Sequence, residues 1–266
     1  MQIKVKNMKQ SIKFNNLLIF FTVALLVGCG ESGYKNSLQE EQLNGSVKSI
    51  RQLAFSIMEE SGNFVILDTL STDNFFIRFD KKGNEIERIF FTPSGDTLGI
   101  YLSEYDEKGR RVTQIGRDLA GNVIENLTFS YNNKGQRTER IYTSASEIST
   151  ETYKYDRKGN LTEISTSMQA GKPLYSILFT YENNWAVAAR VIMHDTGRVN
   201  EMTFTSDKQG RETEAVTNFL NSSGFSEGQE TRTFTYESDA QGNWTTKIVF
   251  INGAPASLFE RTIEYY

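Results

Sequence analysis

A turn that recurs at a nearly constant spacing is the feature that most constrains how this chain can fold. Each copy starts with aspartate or asparagine and has glycine three residues later, and its glycines are Gly83, Gly109, Gly135, Gly159, Gly210 and Gly242. The spacing is about 26 residues, and the long interval after Gly159 holds two repeats, with Asn183-Asn184 as a turn that has no glycine. Repetition at a fixed period predicts a chain built from one supersecondary unit.

A second series of turns divides each repeat into two strands. These turns are centred on Gly95, Gly121, Ala145, Gly171, Gly197, Gly224 and Gly253. Between the turns bulky and polar residues alternate, as in Tyr175-Ser-Ile-Leu-Phe179, and a period of two is typical of strands. We predict an all-β fold, an antiparallel meander of repeated hairpins. Two strands per repeat give roughly 14 to 17 strands, more than an open sheet usually holds, so we expect a curved or rolled sheet.

Several predicted strand ends resemble the YD repeats of the Rhs family. The residues concerned are Phe79-Asp80, Tyr105-Asp106 and Tyr155-Asp156, each followed after two residues by a turn glycine. The resemblance covers most of residues 45–266 and implies a curved antiparallel sheet. The period here is longer than is usual in that family, so only the repeat fold is carried over.

The first 28 residues predict a signal peptide. The basic start contains Lys4, Lys6, Lys9 and Lys13. The apolar run over residues 17–27 is about 11 residues long, too short for the roughly 20 that a transmembrane helix needs. Residues Leu26-Val27-Gly28-Cys29 resemble the lipobox of bacterial lipoproteins. The resemblance implies cleavage before Cys29, a diacylglycerol thioether on its sulfur and a fatty acyl chain, such as palmitate, on the new amino terminus.

These signals divide the chain into a lipoprotein signal peptide over residues 1–28, a flexible tether over residues 29–44 and a β-repeat domain over residues 45–266. The predicted partner of Cys29 is therefore the membrane, which it reaches through lipid. In lipoproteins the residue after the cysteine influences sorting, and Gly30 in that position implies the outer membrane. The predicted location is the cell envelope, with the periplasmic and surface faces both open.

The charge balance disfavours a nucleic acid partner. Removing residues 1–28 takes away four of the 29 basic side chains and none of the 33 acidic ones, so the formal charge changes from −4 to −8. An acidic chain repels the phosphate backbone.

The sequence contains no catalytic constellation, metal site or cofactor motif that we can identify. His194 is the only histidine and Cys29 the only cysteine, so a zinc cluster is disfavoured. His194 falls in a predicted turn, where a structural role is expected. The turn aspartates Asp80, Asp106, Asp156, Asp207 and Asp239 stand singly, whereas a calcium loop needs several carboxylates. Their expected role is to accept hydrogen bonds from the turn backbone.

A transmembrane barrel is the alternative all-β architecture, because alternating strands and aromatic residues are also typical of it. Charged residues on the expected outer faces argue against it; they are Glu85, Glu87, Arg140, Lys154, Glu163, Lys247, Glu260 and Arg261.

The favoured function is a non-enzymatic binding or structural role in the envelope, with a protein or a glycan as ligand. Two alternatives stay open: an envelope hydrolase that works with carboxylates alone, and an accessory or immunity partner of an Rhs-like toxin. The ligand-binding residues cannot be assigned from the sequence.

Overall fold

The structure is a computed structural model that describes residues 35–183 and 185–266. Its regular structure is almost entirely strand, after one short helix, α1 (Ser37–Glu40). The first strands are β1 (Val47–Glu60), β2 (Asn63–Thr69), β3 (Phe75–Phe79), β4 (Glu85–Phe91), β5 (Thr97–Tyr105), β6 (Arg111–Arg117), β7 (Val123–Tyr131), β8 (Arg137–Ser144) and β9 (Ile148–Tyr155). The others are β10 (Leu161–Met168), β11 (Pro173–Glu182), β12 (Trp185–Met193), β13 (Val199–Ser206), β14 (Glu212–Leu220), β15 (Ser226–Ser238), β16 (Trp244–Ile251) and β17 (Ala254–Tyr265).

The strands form one antiparallel meander that closes on itself. Each strand from β3 onward pairs with the next, and β1 pairs with β17 on one side and with β3 on the other. In the closing pair Val47 lies opposite Tyr265. The predicted all-β antiparallel meander is confirmed, but the sheet is a closed barrel and not an open roll. Closure is favourable because it leaves no unpaired strand edge in the ring.

Strand β2 lies outside this ring of sixteen strands. It pairs with the last part of β1, from Phe55 to Glu60, through a two-residue hairpin turn at Ser61 and Gly62. Both turn residues have positive φ, of 53° and 79°, as a type I′ hairpin turn requires.

The repeated turn has one geometry, seen clearly at Asp80. The Asp80 carboxylate accepts the N–H groups of Lys82 at 2.8 Å and Asn84 at 3.0 Å, and the Gly83 N–H donates to the Asp80 carbonyl at 3.0 Å. Gly83 has φ +83°, a conformation that costs other residues roughly 1–2 kcal/mol. Asp106, Asn132, Asp207 and Asp239 accept the same pair of backbone N–H groups in their own turns. The aspartates therefore hold the turns, as expected.

Two apolar clusters line parts of the barrel wall. One joins β1 to β3 and contains Val47, Ile50, Phe75, Ile77 and Phe79, with Leu38 of α1. The other crosses β11 to β14 and contains Tyr175, Ile177, Ala186, Ala189, Val191, Phe204 and Ala215. The interior between the two clusters is polar, and it holds the candidate site.

Among the described residues, no helix is long and apolar enough to cross a membrane.

Candidate functional site

A short segment closes one end of the barrel. Its helix begins with a capping box, in which the Asn36 side chain accepts the Gln39 N–H at 3.0 Å and the Gln39 side chain accepts the Asn36 N–H at 3.0 Å. The segment is fixed to the β3–β4 turn, because the Leu38 N–H donates to the Gly83 carbonyl at 3.1 Å. We call residues 36–43 the plug and the end they cover the plugged end. The sequence predicts a flexible tether over residues 29–44, whereas the last part of that range packs against the barrel.

Four arginines from four separate strands contact the plug. Their shared direction identifies the inner face of the barrel wall. They are Arg88 of β4, Arg111 of β6, Arg137 of β8 and Arg261 of β17. Arg137 donates to Glu40 at 2.9 Å and Arg88 donates to Glu41 at 3.0 Å. Strands that lie apart in the ring can reach one short segment only if these side chains point into the lumen. Charge-assisted hydrogen bonds therefore hold the plug, together with burial of Leu38 in the apolar cluster.

Glu85 lies beneath the plug and is only 1% exposed. Its carboxylate accepts from Arg88 at 2.8 and 3.1 Å and from Gln114 at 3.0 Å, and Arg111 lies 3.4 Å away. Burial raises the pKa of this carboxyl, but the guanidinium groups of Arg88 and Arg111 outweigh burial and hold the pKa below its usual range. A small cavity of about 150 Å³ separates this cluster from the plug. Glu85 is thus a charged carboxylate in the lumen whose oxygens both have hydrogen-bond partners.

A larger cavity of about 460 Å³ occupies the lumen beyond the arginines, within the range of pockets that hold small ligands. It reaches Glu147, in the β8–β9 turn at the far end of the barrel. Its lining combines aromatic and charged side chains, among them Phe90, Tyr101, Glu125, Arg140, Tyr142, Glu151 and Tyr175.

The polar groups of the large cavity hold one another in place. The Tyr101 hydroxyl donates to Glu125 at 2.8 Å, and Arg140 and the Tyr153 hydroxyl both donate to Glu151 at 2.5 Å. The buried Nε of Arg140 has no hydrogen-bond partner among the described residues. A buried donor without a partner is unusual in a folded protein.

A glycine makes room for one of the aromatic rings. Gly116 lies directly across from Tyr101, and a Cβ there would come within 2.7 Å of a Tyr101 ring atom. The ring also packs edge-on against Phe90, with centroids 5.3 Å apart. A glycine inside a predicted strand signals a close approach of this kind. Sequence analysis missed the site because the partner of Gly116 depends on the pairing of strands.

A second polar cluster lies in the lumen on β14, β16 and β17. Lys247 and Arg261 both lie over the ring of Trp244, with the ammonium 5.2 Å and the guanidinium carbon 3.6 Å from the ring centroid. Burial raises the pKa of the nearby Glu212 carboxyl to about 7, although the positive charges of Lys247 and Arg232 oppose this shift. No sequence motif marks this group.

Of the eight charged residues expected on the outer faces from the sequence, half lie inside the barrel. Those in the lumen are Glu85, Arg140, Lys247 and Arg261. Those outside are Glu87, Lys154, Glu163 and Glu260. On β4 the assignment failed because the register shifts at a bulge between Glu85 and Glu87, which therefore face opposite sides of the wall.

His194 and the turn aspartates do not line the lumen cavities. Cys29 lies outside the described residues. His194 lies in the β12–β13 turn, where its Nε2 is 2.9 Å from the Ser176 hydroxyl. The described residues contain no group of three or more His, Cys, Asp or Glu that could hold a metal.

The fold and its lumen define a closed antiparallel β-barrel with one plugged end. Among solved structures, a porin-like protein from Bacteroides uniformis ATCC 8492 is similar over 88% of this chain and 100% of its own, with a TM-score of 0.55 and 17% identity. At that identity the likeness shows a shared fold alone.

Two other solved structures have TM-scores below 0.5, and nothing is inferred from them. A porin-like protein from Bacteroides vulgatus ATCC 8482 has a TM-score of 0.31 and 8% identity over 84% of this chain and 99% of its own. TcdB2-TccC3 without its hypervariable C-terminal region has a TM-score of 0.21 and 10% identity over 81% of this chain and 19% of its own. No protein-family model matches the sequence, and comparison with curated proteins finds no relative.

Proposed function

We propose that this chain is a non-enzymatic binding protein of the cell envelope, anchored by lipid on Cys29, which holds a glycan fragment in the large lumen cavity. The observation that carries the proposal is the lining of that cavity. Aromatic rings and charged hydrogen-bonding groups together line about 460 Å³ of space. The barrel fold shared with a porin-like protein is consistent with an envelope location.

The chemistry of the lining suits a sugar. A pyranose ring has apolar faces that pack on aromatic side chains such as Tyr101 and Tyr142, and hydroxyl groups at its edge that need partners. Carboxylates accept from those hydroxyls and guanidinium groups donate to them. Glu125 and Glu151 supply acceptors, and the guanidinium groups of Arg111 and Arg140, which also line the cavity, supply donors.

The plug also orients the barrel relative to the proposed anchor. Cys29 precedes Lys35, the first described residue, by six positions, and an extended chain covers at most about 3.5 Å per residue, or roughly 21 Å in all. The plugged end therefore lies near the membrane in this proposal. The large cavity, which reaches the far end, then faces away from the membrane.

Calorimetric titration with trisaccharides tests the binding proposal, with xylotriose, maltotriose and chitotriose as probes. We expect one of them to bind, and Tyr142→Ala to weaken that binding at least tenfold. Thr143→Ala is the matched control, because Thr143 is the next residue of β8 and is exposed. If none of the three binds, or if Tyr142→Ala binds as the wild type does, the lumen is not a glycan site. Release of free sugar would identify a hydrolase instead.

The anchor is tested separately by metabolic labelling with a fatty acid analogue in cells that express the wild type or Cys29→Ala. We expect the label on the wild type only. An unlabelled wild type would refute the lipoprotein part of the proposal and leave the binding part intact.

A further inference from the structure

We propose that part of the rim at the far end of the barrel is a docking surface for a partner protein. The segment that docks is basic, carries apolar side chains and lies against the rim in an extended conformation. The surface consists of the tips of four hairpins, and we call it the rim arc; it comprises residues 58–69, 92–98, 117–124 and 144–148. The inference does not depend on glycan binding or on the lipid anchor.

The four hairpin tips are neighbours at one end of the barrel. Successive turns of an antiparallel meander lie at alternate ends, so the turns after β4 and β6 lie at the far end with the turn after β8. Strand β1 begins beside the plug, where Val47 and Leu38 belong to one apolar cluster, so the turn from β1 to β2 also lies at the far end. The rim arc is therefore continuous along the ring from β1 to β9.

The rim arc carries most of the large apolar side chains that are exposed. Leu119 is 70% exposed and Leu67 is 58% exposed. Of the fourteen exposed large hydrophobic residues in the described part of the chain, nine lie on the rim arc: Met58, Phe64, Ile66, Leu67, Leu98, Leu119, Val123, Ile124 and Ile148. Exposed apolar residues are ordinary when they are scattered, whereas a cluster on one rim marks an interaction surface.

The same hairpin tips are acidic. The single basic residue among them, Arg117, donates to the Gly121 carbonyl of its own turn at 2.8 Å. Six acids against this one base give the rim arc a formal charge of −5; the acids are Glu59, Glu60, Asp68, Asp96, Asp118 and Glu147. The turns at the plugged end carry lysine or arginine at most of their tips, as at Lys81 and Lys82. The acidity is therefore not a general property of the turns.

This charge decides between the possible occupants of the rim arc. Segments that lie on membrane surfaces are usually rich in lysine and arginine, because the headgroups there are often anionic. A second copy of the rim arc would bring two acidic surfaces together. A partner that combines basic and apolar residues meets both the charge and the apolar side chains.

Strand β2 indicates that the partner segment is extended. Phe55 and Ser56 of β1 pair with β17 on one side and with β2 on the other. Among the described residues, β2 pairs with β1 alone, so its second edge presents N–H and C=O groups with which an extended chain can pair. The ring of Phe64 packs edge-on against Phe250, with centroids 6.1 Å apart. This contact holds the hairpin to the barrel.

Fluorescence anisotropy with labelled nine-residue peptides tests the proposal on the purified protein. The probe peptide alternates leucine and lysine, and two comparison peptides replace leucine with serine or lysine with glutamate. We expect the leucine–lysine peptide to bind at least ten times more tightly than either comparison peptide. The proposal is overturned if that peptide does not bind, or if either comparison peptide binds as tightly.

Two serine variants locate the binding. Leu119→Ser should weaken binding of the leucine–lysine peptide at least fivefold. Phe225→Ser is the matched control and should leave binding unchanged, because Phe225 is 72% exposed on the β14–β15 turn at the same end but outside the rim arc. Equal effects of the two variants, or no effect of Leu119→Ser, would overturn the proposal.

Sedimentation experiments examine the two other occupants. The protein is run alone, and then with vesicles of phosphatidylethanolamine and phosphatidylglycerol. We expect a monomer that does not bind the vesicles. Self-association that Leu119→Ser abolishes would assign the rim arc to a second copy of the chain, and vesicle binding that this variant abolishes would assign it to lipid. Either result would overturn the proposal.

Discussion

The Arg137 guanidinium donates a 2.9 Å hydrogen bond to the Glu40 carboxylate, and this contact joins strand β8 to a helix that lies 97 residues earlier in the chain. The guanidinium also lies over the rings of Phe129 and Tyr153, with centroid distances of 5.1 and 5.7 Å. Arg137 thus keeps its charge in a largely aromatic setting, and Glu40 is the acid that offsets it. The plug is a structural part of the barrel for this reason.

Removal of that acid is expected to destabilise the fold. Glu40→Gln leaves the partly buried Arg137 without its anionic partner, and a hydrogen bond to a charged group contributes roughly 1.5–3 kcal/mol. We expect a loss of about that size in the free energy of unfolding, measured with urea. Glu107→Gln is the control, because Glu107 is exposed in the β5–β6 turn. If both variants unfold at the same urea concentration, the contact between Glu40 and Arg137 does not contribute to stability.

Glu85 should make stability depend on acid pH. Its folded pKa is lower than its usual value, so its contribution is present above about pH 4.5 and is lost as pH falls through the folded pKa. Loss of one partner of a buried pair costs roughly 3–5 kcal/mol, and we expect Glu85→Gln to lose about this much at pH 7.

The difference between Glu85→Gln and the wild type should shrink below pH 4, as followed by urea unfolding across the pH range. Glu87→Gln provides the comparison on the same strand, since Glu87 forms a partly exposed pair with Arg78 on the outer wall at 3.2 Å, and surface pairs contribute less than about 1 kcal/mol. A difference at Glu85 that does not vary with pH would contradict this account.

Glu212 should give the opposite dependence on pH. Its folded pKa of about 7 is above its usual value, so between about pH 4.5 and 7 the folded state keeps a proton that the unfolded state has released, and stability falls as pH rises. Glutamine carries no such proton. We expect Glu212→Gln to raise Tm relative to the wild type more at pH 8 than at pH 4. Thr213→Ala, at the next position of β14, removes no ionisable group and is the control; a trend of equal size there would refute the assignment.

Alanine substitutions at two turn glycines distinguish the cost of backbone strain from the cost of a clash with the plug. Gly83 and Gly109 have nearly the same φ, +83° and +81°, so alanine costs roughly 1–2 kcal/mol at either. At Gly83 a Cβ would also lie 2.7 Å from the Asn36 amide nitrogen and 2.9 Å from a Leu38 methyl, whereas at Gly109 nothing lies within 4 Å.

We therefore expect Gly83→Ala to be the more destabilising change, by roughly a further 1–3 kcal/mol for the forced displacement. It should also speed proteolysis within residues 36–43. Limited proteolysis and urea unfolding of the two variants measure both effects. Equal losses would mean that the plug adjusts to the added methyl without cost.

Local features of the sequence predicted the strands and turns because a few neighbouring residues determine them. The Asp80 carboxylate and Gly83 complete their turn by themselves, and the same pattern recurs along the chain. The lumen could not be predicted in this way. Its arginines meet only after the ring closes, and bulges decide which charges point inward, as at Glu212. The spacing of Asn36 and Gln39 is the one local signal that predicts the plug helix, through a capping box.

Closure of the ring also sets an order of events during folding. Strand β1 and strand β17 pair through residues as distant as Val47 and Tyr265, so a nascent chain has a bare strand edge until its last hairpin has been made. Contacts so far apart in sequence form slowly, and the waiting edge is open to pairing with other chains. The final strand therefore acts as a latch, and chains that stop short of it would be prone to aggregate.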